Sequence, residues 1–182
     1  FKNSNTTGAV IFDAPTLTVG GKKMSGDLTY TIKANGVVVG TGDAEVGEEE
    51  VTTAVKNISE GYNTFEIYLS NKNGDGKKSY IKKWIGRDTP QIAQNVTFTL
   101  DKENNLAKLQ WDYPNMGGLH GGYADPADFT YKVVRYPEEK VVSEGSKERV
   151  FSEPIPQGPW ATHYYKVYAI NNDLTGKEAS SN

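Results

Sequence analysis

Leu106 to Pro114 reads Leu-Ala-Lys-Leu-Gln-Trp-Asp-Tyr-Pro, and Phe129 to Arg135 reads Phe-Thr-Tyr-Lys-Val-Val-Arg. In the first stretch Ala107, Leu109 and Trp111 share one face, against Lys108 and Gln110 on the other. In the second, Phe129, Tyr131 and Val133 face away from Thr130 and Lys132. A period of two is the mark of a strand with one wet side. Pro114 lacks the N–H that a ladder needs, so it marks the end of the first strand.

The same pattern occurs earlier in the chain. Gly8 to Pro15 is Gly-Ala-Val-Ile-Phe-Asp-Ala-Pro, with Phe12, Asp13 and Pro15 where Trp111, Asp112 and Pro114 fall. Leu28, Tyr30 and Ile32 repeat Phe129, Tyr131 and Val133. Phe65, Ile67 and Leu69 repeat Tyr165, Val167 and Ala169, and the two runs end at Asn71 and Asn171. Asn35-Gly36 is a hairpin signal between two apolar runs. No stretch carries ten residues of helical period free of Gly and Pro. Short strands punctuated by turns predict an all-β chain of two tandem sandwiches. Their cores are expected to hold Val10, Phe12, Tyr30, Ile32, Phe65, Ile67 and Leu69 in the first, and Leu109, Trp111, Tyr131, Val133, Tyr165, Val167 and Ala169 in the second.

The boundary is read at Arg87-Asp88-Thr89-Pro90, taken as a linker, so the two copies span 1–87 and 88–182. Val96, Phe98 and Leu100 open the second copy with a strand that has no counterpart before Gly8. The first copy is therefore expected to lack a first strand. After Asn171 nothing matches Tyr80 to Ile85, so the second is expected to lack a last one. Open ladder edges invite pairing, and the chain is expected to be part of a longer protein.

The bulk composition narrows the role. The 182 residues carry a net charge of −3 and 36% hydrophobic residues, which favours neither disorder nor polyanion binding, so no nucleic-acid partner is expected. No apolar run is long enough to span a bilayer. The absence of Cys excludes disulfides and thiolate metal sites.

The order of Trp111, Tyr131 and then Tyr165-Lys-Val-Tyr-Ala-Ile-Asn171 resembles the fibronectin type III domain, an immunoglobulin-like sandwich, and the resemblance covers nearly the whole chain as two units. In the first copy Phe12 stands for the Trp and Phe65 for the late Tyr, which removes a hydroxyl expected to bond as in a tyrosine corner. Trp111-Asp-Tyr-Pro114, Gly121-Gly-Tyr-Ala-Asp-Pro126 and Tyr131 to Pro137 also resemble repeats of large secreted or surface-attached bacterial proteins. The resemblance implies an extracellular structural or interaction module, a spacer or adhesion region beside flanking domains, with no catalytic residues.

Candidate chemistry is sparse. Asn71-Lys-Asn-Gly-Asp75-Gly76 starts like a calcium loop, but the twelfth position, where a bidentate Glu belongs, is Lys82. Gly86-Arg87-Asp88 holds the residues of an integrin-binding tripeptide in the wrong order and reads as inter-domain spacing. His120 and His163 are the two histidines, too few for a zinc site without carboxylates. No Gly-x-Ser-x-Gly elbow is present. No cofactor, metal or catalytic residue is expected. The alternative to a spacer is a carbohydrate- or protein-binding module, in which His120 and Tyr123 of the Gly-rich stretch Asn115 to Asp128 join Trp160 to stack on a sugar or peptide. The plainer reading makes Tyr123 and Trp160 lids over the sandwich ends. A hydrolase is the third and weakest reading, resting on carboxylate pairs that sequence does not place.

Overall fold

A computed structural model describes residues 7–158 and 162–181. The chain divides into two compact units, Phe1–Arg87 and Asp88–Asn182.

The first unit contains strands β1 (Gly8–Phe12), β2 (Leu28–Ala34), β3 (Val37–Ala44), β4 (Val51–Val55), β5 (Gly61–Asn71), the two-residue β6 (Gly74–Asp75) and β7 (Ser79–Ile85). One sheet is β1 paired to β4; the other runs β3-β2-β5, with β6 and β7 both on β5. All pairs are antiparallel. Asn35 and Gly36 both have positive φ, the backbone a tight β2–β3 hairpin needs. Leu28, Tyr30, Ile32 and Ala34 point inward, as their period predicts, and close the core with Val51, Val55, Ile58, Phe65 and Ile85.

The second unit contains β8 (Gln94–Asp101), β9 (Leu106–Asp112), a 3₁₀ turn (Pro126–Asp128), β10 (Thr130–Tyr136), β11 (Lys140–Ser146), β12 (Val150–Pro154), β13 (Tyr164–Asn171), β14 (Leu174–Thr175) and β15 (Ala179–Ser180). Its sheets are β12-β9-β8 and β11-β10-β13, with β14 and β15 on β13. The core gathers all seven expected residues together with Ala93, Val96, Ala107, Ala124, Phe129 and Ala179.

The registers show that the two units are one architecture built twice. Tyr30 lies opposite Leu69, and Ile32 opposite Ile67. Tyr131 lies opposite Ala169, and Val133 opposite Val167. Beyond them, Gly76 N–H donates to Leu69 C=O and Gly176 N–H to Ala169 C=O, at 2.7 and 2.9 Å. Added strand β6 in one unit and β14 in the other make the same short return.

Two expectations need correction. A last strand is present in the second unit: Ala179 pairs with Val167, Ser180 with Lys166, and Ser181 N–H reaches Tyr165 C=O at 2.9 Å. Its two small residues carry no alternation, so nothing in the sequence marks it. In the first unit Val10, Phe12, Ile67 and Leu69 pack against the core without being fully buried.

Candidate functional site

The connection from β9 to β10 is long and rich in Gly, and it folds on itself. Gly117 N–H donates to Ala124 C=O, Gly118 N–H to Gly122 C=O, and Gly121 N–H to Gly118 C=O. Gly117 and Gly121 both have positive φ, which L side chains tolerate poorly. Asp125 then accepts from Ala127 N–H at 3.0 Å and caps the 3₁₀ turn. Phe129, 1% exposed, anchors the exit.

What holds this loop is Asp88, a residue of the stretch Arg87 to Pro90 expected to be a linker. Its side chain is completely buried. Its Oδ1 accepts from Thr89 N–H at 2.7 Å. Its Oδ2 accepts from His120 N–H at 2.7 Å and Gly122 N–H at 3.0 Å. The His120 ring meets Oδ1 through Nδ1, also at 2.7 Å. The main chain of Asp88 is engaged as well, donating to Tyr123 C=O and accepting from Asn171 Nδ2. Burial opposes the charge, but the His120 ring and the three N–H groups outweigh it and hold the carboxyl below the ordinary Asp value. A Cβ added at Gly118 would overlap the Asp88 side chain, so this position requires Gly.

The structure brings two of the three candidate binding residues to this loop. His120 is 37% exposed along its side chain and oriented by Asp88. Tyr123 is half-buried, and its hydroxyl donates to Asp128 Oδ2 at 3.0 Å. Burial first, and then Asp128, push its phenol up in pKa. Trp160 lies outside the described residues. An Asp–His pair is also the orienting half of a nucleophilic triad. Here the carboxylate accepts three backbone N–H bonds besides, which is the work of an acid that shapes a loop. Among the described residues no third His, Asp or Glu completes a metal cluster with the pair.

Elsewhere the candidate side chains serve the fold. In the loop that resembles a calcium site, Ser70 Oγ donates to Asp75 Oδ1 and Asn73 N–H donates to Asn71 Oδ1, so both side chains brace the β5–β6 hairpin. His163 approaches Glu138 at 3.5 Å. A network that the sequence did not reveal links three strands: Arg135 Nη1 donates to Glu153 Oε2 at 2.7 Å, and Tyr165 Oη donates to Glu153 Oε1 at 2.9 Å. The Tyr165 hydroxyl thus bonds a carboxylate. In the first unit Phe65 faces Ala34 at the same register, and neither residue has a polar group to satisfy.

No family model matches the sequence, and neither does any curated protein. Solved structures that resemble the chain include tandem fibronectin type III segments. A two-domain segment from chicken tenascin is 14% identical, with a TM-score of 0.42, over 99% of this chain and 93% of that one. The chicken CNTN1 FN1–FN3 domains are 14% identical, with a TM-score of 0.39, over 98% of this chain and 59% of that one. Domains d3–d4 of the rat CD45 extracellular region are 14% identical, with a TM-score of 0.41, over 69% of this chain and 65% of that one.

Proposed function

We propose that the chain is a non-catalytic structural and interaction module, a spacer within a larger secreted or cell-surface bacterial protein. The observation that carries this reading is the fate of the most chemically suggestive pair. Asp88 and His120 are committed to holding the backbone of residues 118–122. The extracellular bacterial setting draws support from the motifs around Trp111, Gly121 and Tyr131. It is compatible with the finding that, among the described residues, no helix is long and apolar enough to cross a membrane.

A glycan array probed with the whole chain tests the proposal against a carbohydrate-binding role. The expected result is no signal above that of an unrelated sandwich. Reproducible binding abolished by both His120→Ala and Tyr123→Ala would transfer the function to the loop.

A further inference from the structure

In an Asn-Gly dipeptide the Asn side-chain amide lies open to attack by the next backbone nitrogen, because Gly has no Cβ to shield it. The chain holds two, Asn35-Gly36 and Asn73-Gly74. Both lie at hairpin tips of the first unit, and both Asn residues are exposed. Exposure does not distinguish them, but bonding does. Asn35 Nδ2 donates to Asn63 Oδ1 at 2.9 Å, and Asn35 Oδ1 accepts from Thr64 N–H at 2.9 Å. Asn63 is 1% exposed and is fixed in turn by donating to the C=O groups of Ser59 and Gly61. The Asn35 N–H donates to Thr64 C=O. The Asn35 carboxamide is thus clamped at both ends, on a hairpin between strands of seven and eight residues.

Asn73 is held differently. Its N–H donates to Asn71 Oδ1 at 2.9 Å, but among the described residues its carboxamide has no hydrogen-bond partner. The strand that follows, β6, is two residues long, with Gly74 opposite Asn71 and Asp75 opposite Ser70. So short a return opens readily, and hairpin tips are where local opening concentrates. The space around Gly74 is clear as well, since a Cβ built there would meet nothing within 4 Å. The second unit makes the same return with Asp173-Leu174 in these positions, a pair with no carboxamide to lose.

We propose that Asn73 is a site of spontaneous deamidation, and that the clamp on Asn35 spares the other dipeptide. Hydroxide removes the Gly74 N–H proton, and the nitrogen forms a bond to Asn73 Cγ. The Cγ–Nδ2 bond breaks, ammonia leaves, and a cyclic succinimide remains. Water then opens the ring at either carbonyl, giving Asp or isoaspartate with no change of oxidation state. Both products place a new negative charge beside Asp75. Isoaspartate also adds a methylene to the main chain, so Gly74 no longer fits opposite Asn71 and the β6 return comes undone. The first unit therefore ages at this hairpin and the second does not. The modification is independent of the spacer reading and stands or falls apart from it.

The test holds the whole folded chain at mildly alkaline pH and follows both dipeptides by peptide mapping with mass spectrometry. Isoaspartate is scored by enzymatic methylation. The expected result is conversion of Asn73 at least about tenfold faster than Asn35, the ratio expected when two side-chain bonds must break first at Asn35. Isoaspartate should appear at position 73. Asn73→Gln should abolish the fast conversion. In concentrated urea, where the clamp is gone, the two dipeptides should convert at similar rates. Equal or faster conversion at Asn35 in the folded chain would overturn the proposal. So would a folded chain that keeps both amides while the unfolded chain loses them. A preference for Asn73 that persists undiminished in urea would also overturn it, since the clamp would then have no part in the choice.

Discussion

Trp111 packs edge-on against Tyr131, with ring centroids 5.3 Å apart and planes at 65°. The first unit repeats the contact with Phe12 and Tyr30, at 5.2 Å and 69°. Both contacts join the two sheets of a sandwich, so each is a seam of its core. Trp111→Ala should destabilise the second unit by about 3–5 kcal/mol, the range for a large buried aromatic. Phe12 is only partly buried, so Phe12→Ala should cost roughly half as much. Calorimetry of the two variants checks the order. Equal losses would mean that Phe12 is as well covered as Trp111.

The two buried tyrosines of the second unit should respond oppositely to loss of their hydroxyls. Tyr131 Oη has no hydrogen-bond partner among protein atoms, whereas Tyr165 Oη donates to Glu153. Tyr131→Phe should therefore be neutral or slightly stabilising. Tyr165→Phe should cost about 1.5–3 kcal/mol, the worth of a bond to a charged group. Urea midpoints of the two variants decide it.

At alkaline pH the second unit should weaken. Burial raises Tyr131 to about 12. Burial, with the Glu153 bond next, raises Tyr165 too. A phenol whose folded pKa lies above its unfolded one stabilises fully below the unfolded value of about 10, and that contribution is lost as the pH rises toward the folded value. Tyrosinate absorbance should show these two phenols ionising together with unfolding.

Asp88 gives the opposite sign in acid. Its folded pKa is lowered, so its contribution is present above the unfolded value of about 3.9 and lost as the pH falls through the folded one. The amides of His120 and Gly122 should lose protection first. Asp88→Ala should cost about 3–5 kcal/mol, because it strips a buried charged acceptor from its donors. Gly118→Ala should cost about 1–3 kcal/mol by crowding the same carboxylate.

These residues also show how much could be read in advance. Alternation placed Tyr131, Val133, Tyr165 and Val167 on inward faces, because a period of two is local and strong. The role of Asp88 was invisible, since the loop groups it holds lie 32 and 34 residues away. The hint that remained was two Gly-Gly pairs in one loop, a sign of close backbone approach. Arg135 and Glu153 meet only once β10 and β12 are placed in opposing sheets. The candidate site was half legible: the loop and its His120 and Tyr123 stood out, but the acid that shapes them did not. Val10 and Ile67 are only partly buried; a period of two fixes the face a side chain takes but not what covers that face.

The central claim is one sandwich built twice, in which, among the described residues, β9 is paired on both edges and β1 on one. Amide exchange of the whole chain, read strand by strand, tests it most directly. The expected result is a β9 protected throughout, since it is paired on both sides, and a β1 in which about half the amides exchange at the rate of an open edge. Equal protection along Gly8–Phe12 and Leu106–Asp112 would contradict it.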